Sequence, residues 1–115
     1  IPESMIIIPY SAFQNNQLTS LHIPDSVRYI NKEAFKNNKL TTLDFHKNMA
    51  DIGEETFAGN ELTSINFNPD SYLQIGPKAF INNKLTRVVL GEVTYYYSNS
   101  FDPEVEVIGG YIVGQ

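Results

Sequence analysis

AFKNNKLTTLDF, residues Ala34–Phe45, occurs in four near-copies along this chain. It stands as AFQNNQLTSLHI from Ala12, as TFAGNELTSINF from Thr56 and as AFINNKLTRVVL from Ala79. Phe13, Phe35, Phe57 and Phe80 fall 22, 22 and 23 residues apart, and Leu18, Leu40, Leu62 and Leu85 keep the same steps. An internal period of roughly 20–29 residues with Leu-x-x-Leu-x-aliphatic phasing marks a solenoid of stacked coils. Architecture is therefore read from the period, whereas a repeat scaffold implies a binding surface only by class.

The totals agree with one packed unit. The 115 residues are one domain's worth of chain, and 42% apolar content is ordinary for a folded protein. A formal charge of −5 with eight Lys and Arg argues against a nucleic-acid partner, which needs a basic footprint. No apolar run approaches the ~18 residues of a membrane span. With no cysteine there is no disulfide or thiol chemistry. No signal peptide is evident, and the chain opens on Ile1 rather than Met. IPESMIIIPYSAF (Ile1–Phe13) aligns without a gap on IPDSVRYINKEAF (Ile23–Phe35), so the chain starts inside a coil. It is expected to be a piece of something longer.

One coil runs from Leu18 to Phe35. In Leu18–Ile23, Leu21 and Ile23 alternate with Ser20 and His22, the period of a half-buried strand. Pro24-Asp25-Ser26 turns the chain. Val27–Ile30 reads as a second short extended run, and Lys32–Asn38 as a single helical turn at most. The corner that holds Asn31, Gly53 and Gly76 in successive coils suggests φ > 0. So does the alternation Asn15, Asn37, Gly59, Asn82. Small residues at Ala12, Ala34, Thr56, Ala79 and Ser100 suit close coil contact, and the phenylalanines should stack in a column. Asn16, Asn38, Asn60 and Asn83 precede each full strand, and their amides are expected to form a structural ladder that satisfies loop backbone groups.

The pattern LTSLHIPDSVRYINKEAFKNNKL resembles the bacterial surface leucine-rich repeats of the BspA type, over about Ile1–Phe101. That resemblance implies a cell-surface or secreted protein engaged in adhesion and protein binding. Extracellular or bacterial-surface localisation follows from it alone.

Both ends depart from the pattern. Ile6, Ile7 and Ile8 stand where later coils carry Arg28 with Tyr29 or Ala50 with Asp51. In the last coil Tyr95, Tyr96 and Tyr97 replace the usual run, with Tyr96 expected inward and Tyr95 and Tyr97 outward on the face of Tyr29. After Phe101 the chain skips the Asn–Leu loop, passes through Asp102-Pro103 and closes with a strand at 104–108; Asp102, Glu104 and Glu106 read as a solvated acidic edge. The repeats divide at about 1–13, 14–35, 36–57, 58–80 and 81–101, giving a solenoid over 1–110. Residues 111–115 read as a tail or the start of another domain.

Stacking places equivalent strand positions side by side, about 4.7–4.9 Å apart. Two outward rows result: Ser20, Thr42, Ser64, Arg87 and His22, Asp44, Asn66, Val89. Ser20, His22 and Asp44 make a nominal Ser/His/Asp set, but nothing supplies an oxyanion hole and the face is open to water. His22, Asp44 and His46 raise an opportunistic metal site, although two histidines without cysteine fall short of a closed one. The simpler reading leaves these residues solvated, so we expect no catalytic residue, no metal and no cofactor.

The sequence thus predicts an α/β-type, right-handed leucine-rich-repeat solenoid, β-rich with little helix, of about 4–5 coils of 22–23 residues. Its expected role is non-enzymatic binding of a protein (or glycan) partner through those eight outward positions. The alternative is a structural spacer that presents other domains of a larger surface protein.

Overall fold

Two extended segments per coil, joined by tight corners, stack in parallel on their counterparts in neighbouring coils. The computed structural model describes residues 1–113. Its strands are β1 (Ile7–Ile8), β2 (Tyr29–Ile30), β3 (Thr42–Asp44), β4 (Asp51–Ile52), β5 (Ser64–Asn66), β6 (Leu73–Ile75), β7 (Arg87–Val89), β8 (Thr94–Tyr97), β9 (Glu106–Ile108) and β10 (Tyr111–Val113). One parallel sheet has the order β1-β2-β4-β6-β8-β10, and two further parallel pairs are β3-β5 and β7-β9. The result is a β-solenoid of about five turns, with no helix among the described residues. The corner at 32–38, allowed one helical turn by the sequence, is made of hydrogen-bonded turns.

The more regular sheet lies on the Val27–Ile30 side, not on the leucine side where the sequence placed it. Packing explains the difference. Ile8, Ile30, Ile52 and Ile75 sit in register and are essentially fully buried, so identical side chains hold the coils at even spacing. On the leucine side the equivalent buried positions carry unlike residues, Ile23, Phe45, Phe67 and Leu90. There the strands pair only as β3-β5 and β7-β9 among the described residues. Leu18–Ile23, expected as a strand, accordingly lies outside any strand, with Ile23 buried and Leu21 partly so.

Phe13, Phe35, Phe57, Phe80 and Phe101 form the expected column, with centroids 5.2, 5.4, 5.5 and 5.4 Å apart and rings within 7° of parallel. Phe45 and Phe67 stack on each other at 5.5 Å and meet this column edge-on. Tyr96 is buried against Phe101, as its inward position predicts.

Positive φ falls on Asn15, Asn37, Gly59 and Asn82, as the Asn/Gly alternation indicates. It does not fall on Asn31, Gly53 or Gly76. The left-handed residue lies two positions later, at Ser11, Glu33, Glu55 and Lys78 (φ 54 to 61°). There the backbone N–H turns along the stack: Glu33 donates to the Glu54 carbonyl at 3.0 Å and Lys78 to the Asn99 carbonyl at 3.2 Å. Gly53 is required by proximity instead, because a Cβ there would stand 2.8 Å from the Lys32 nitrogen. The 23-residue step is absorbed at Tyr72, which bulges out before β6 with 77% of its surface exposed. Tyr111–Val113, read from sequence as a tail or new domain, pair with β8 as the last strand of the large sheet. Residues 114–115 lie outside the described residues.

Candidate recognition face

Two of the four positions in each outward row are joined by a strand pair. Thr42 aligns with Ser64 and Asp44 with Asn66 across β3 and β5, and the Asn66 amide donates to Asp44 Oδ1 at 2.8 Å. Ser20 and His22, both exposed, precede this pair without entering it. Arg87 and Val89 belong to β7, whose partner is β9, so Arg87 faces Glu106. The guanidinium lies 3.8 Å from that carboxylate, and with both side chains more than 60% exposed the pair is weak. Among the described residues no backbone hydrogen bond joins β5 to β7.

Three shallow clefts lie on this face. One of about 430 Å³ separates Ser64 and Asn66 from Arg87 and Val89, above Phe67 and Leu90. A second, about 420 Å³, lies over Ser20, Thr42, Asp44 and Ser64. The third, about 300 Å³, gathers His22, Asp25, Asp44, His46, Asn66 and Asn68. All eight outward residues therefore line a cleft. Glu106, which the sequence suggested only as solvated edge, was not legible as the neighbour of Arg87, because the last coil drops the loop that sets register.

The nominal catalytic and metal sets do not assemble. The hydrogen bond to Asp44 comes from Asn66, not from His22. His46 Nδ1 accepts the Asn48 N–H at 3.1 Å, and its Nε2 is buried without a partner among the described residues. No group of three or more His, Cys, Asp or Glu able to hold a metal occurs among the described residues. Nor is any helix long and apolar enough to cross a membrane.

Beside this face runs the asparagine ladder. Asn38 Nδ2 donates to the carbonyls of Phe13 and Phe35, and Asn60 Nδ2 to those of Phe35 and Phe57. Asn83 continues with Phe57 and Phe80. The amide oxygens of Asn38, Asn60 and Asn83 accept the N–H of Leu18, Leu40 and Leu62 in the preceding coil. Asn16, at the first coil, reaches only Phe13 and Gln14 among the described residues.

A repeated Phe–Asn corner, buried leucines and a 22-residue coil are now all in place. A family model described as the BspA type leucine-rich repeat region matches residues 1–106 in six copies. The chain belongs to the BspA-type leucine-rich-repeat family. BspA-type repeats are generally found in bacterial surface proteins, and solenoids of this family are typically non-enzymatic. No curated protein and no solved structure matches the chain.

Proposed function

We propose that this BspA-type solenoid is a non-enzymatic adhesion or protein-binding module of a bacterial surface or secreted protein. Its recognition face comprises Ser20, His22, Thr42, Asp44, Ser64, Asn66, Arg87 and Val89. The observation that carries this reading is the coincidence of all eight variable outward positions with the clefts, above an interior held nearly constant by packing. Varying one face over a fixed core is how repeat proteins build extended recognition surfaces. The face is polar and weakly charged, which suits a protein surface better than a nucleic acid.

The test presents the immobilised chain to a panel of purified extracellular proteins by interferometry. Asp44→Ala combined with Arg87→Ala should weaken binding at least about tenfold, a loss of ~1.4 kcal/mol. These are exposed positions, so stability should move by no more than about 0.5 kcal/mol. Binding that survives the double substitution contradicts this face. A chain that binds no member of the panel supports the spacer role instead.

A further inference from the structure

On the other side of the core an outward row in register crosses all six strands of the large sheet: Ile7, Tyr29, Asp51, Gln74, Tyr95 and Tyr111. The rings of Tyr95 and Tyr111 stack at 5.6 Å with 25° between planes. The other neighbour of Tyr95 in the row is Gln74. At the far side stands Tyr29, as exposed as Tyr95 at 38%. Three strand spacings, about 14 Å, separate their backbones. Asp51 and Gln74 stand between them in the same row. No side-chain hydrogen bond or ion pair to another described residue engages either, so the carboxylate and the amide both keep free hydrogen-bonding capacity. Asp51 is exposed as a residue, yet its neighbours cover the carboxyl enough that burial raises its pKa from the ordinary value.

We infer that this row binds a neutral, extended oligosaccharide, with the ring of Tyr95 against a sugar and Asp51 and Gln74 hydrogen-bonded to its hydroxyls. The row contains no Lys or Arg, so an anionic ligand would meet a carboxylate without a counter-charge. A linear glycan fits such a row, since its sugars repeat at roughly one strand spacing and present hydroxyls at that interval. Aromatic faces beside polar groups are the chemistry that holds an amphipathic ring of this kind. The site is separate from the face of Asp44 and Arg87.

Saturation-transfer NMR with cellohexaose and with chitohexaose tests the proposal on the whole chain. At least one of the two should receive magnetisation, with sugar-dependent shifts at the Gln74 and Tyr95 amides. Asp51→Asn and Gln74→Ala should each weaken the fitted affinity, by about tenfold for the loss of one charge-assisted hydrogen bond at Asp51. Tyr95→Ala should abolish transfer; should that variant misfold, the two exposed substitutions still decide the matter. Asp44→Ala, on the other face, should change nothing. Transfer to neither sugar, or affinity unchanged in both Asp51→Asn and Gln74→Ala, overturns the proposal.

Discussion

Asn60 Nδ2 donates to the carbonyl of Phe35, one coil earlier, at 3.0 Å. The same amide group serves its own coil at the Phe57 carbonyl, and its oxygen accepts the Leu40 N–H at 3.0 Å. One buried side chain thus satisfies three backbone groups at a corner closed to water. Where the last coil lacks this asparagine, Asp102 closes the ladder. Its carboxylate accepts the N–H groups of Asn82 at 2.8 Å and Asn83 at 3.1 Å.

Removing the Asn60 amide leaves those three groups buried and unpaired. Asn60→Ala should destabilise by about 1–3 kcal/mol in urea melts. Asn16→Ala should cost much less, since Asn16 is exposed and bonds only within its own coil. Asn37→Gly should be nearly neutral. It relieves φ 59°, offsetting an exposed hydrogen bond to Asn15. Equal losses at positions 37 and 60 would contradict this division of roles.

Gly53 has ordinary φ and still cannot gain a methyl group, because the backbone of the preceding coil stands in its place. Gly53→Ala should cost about 1–3 kcal/mol through overpacking against the Lys32 nitrogen. A neutral result in thermal melts would show that the coils separate freely at this corner.

Much of this was legible because repetition reports packing directly. The phenylalanine column, the asparagine ladder and the left-handed Asn15, Asn37, Gly59 and Asn82 all recur at the period. Gly53 and Gly76 were misread because glycine answers equally to a strained φ and to a close neighbour, and sequence does not separate the two. The left-handed turn at Ser11, Glu33, Glu55 and Lys78 left no signal. These residue types do not favour positive φ, which an inter-coil hydrogen bond sustains. The outward rows were legible as positions, but the breaks between β5 and β7 and before β3 leave no mark on the alternation.

Lys36 Nζ lies 2.8 Å from Glu55 and 3.3 Å from Glu33. The hydrogen bond to Glu55, then that to Glu33, raises the Lys36 pKa, and the bond from Lys36 holds Glu55 below its ordinary 4.5. A depressed carboxylate favours the folded state above its unfolded pKa, and that contribution is lost as pH falls through the lower folded value. The raised lysine contributes below 10.5 and loses its share as pH rises past the folded value. Lys36→Met should therefore cost about 0.5 kcal/mol or less at about pH 7, the scale of a solvent-screened pair, and less at about pH 3, as Glu55 takes up its proton. Urea midpoints at the two pH values check this. An equal deficit at both would show that Lys36 acts through its stem rather than its charge.

The account rests most heavily on a single bonding unit joining every coil, and residue-resolved amide hydrogen exchange measures it. The N–H groups of Phe35, Phe57 and Phe80 donate to Thr56, Ala79 and Ser100, while those of Leu40 and Leu62 donate to Asn60 and Asn83. We predict that these five amides exchange together, at the slow rate set by global unfolding. Exchange as fast as that of the exposed amide of Lys47, at any of the five, would contradict it.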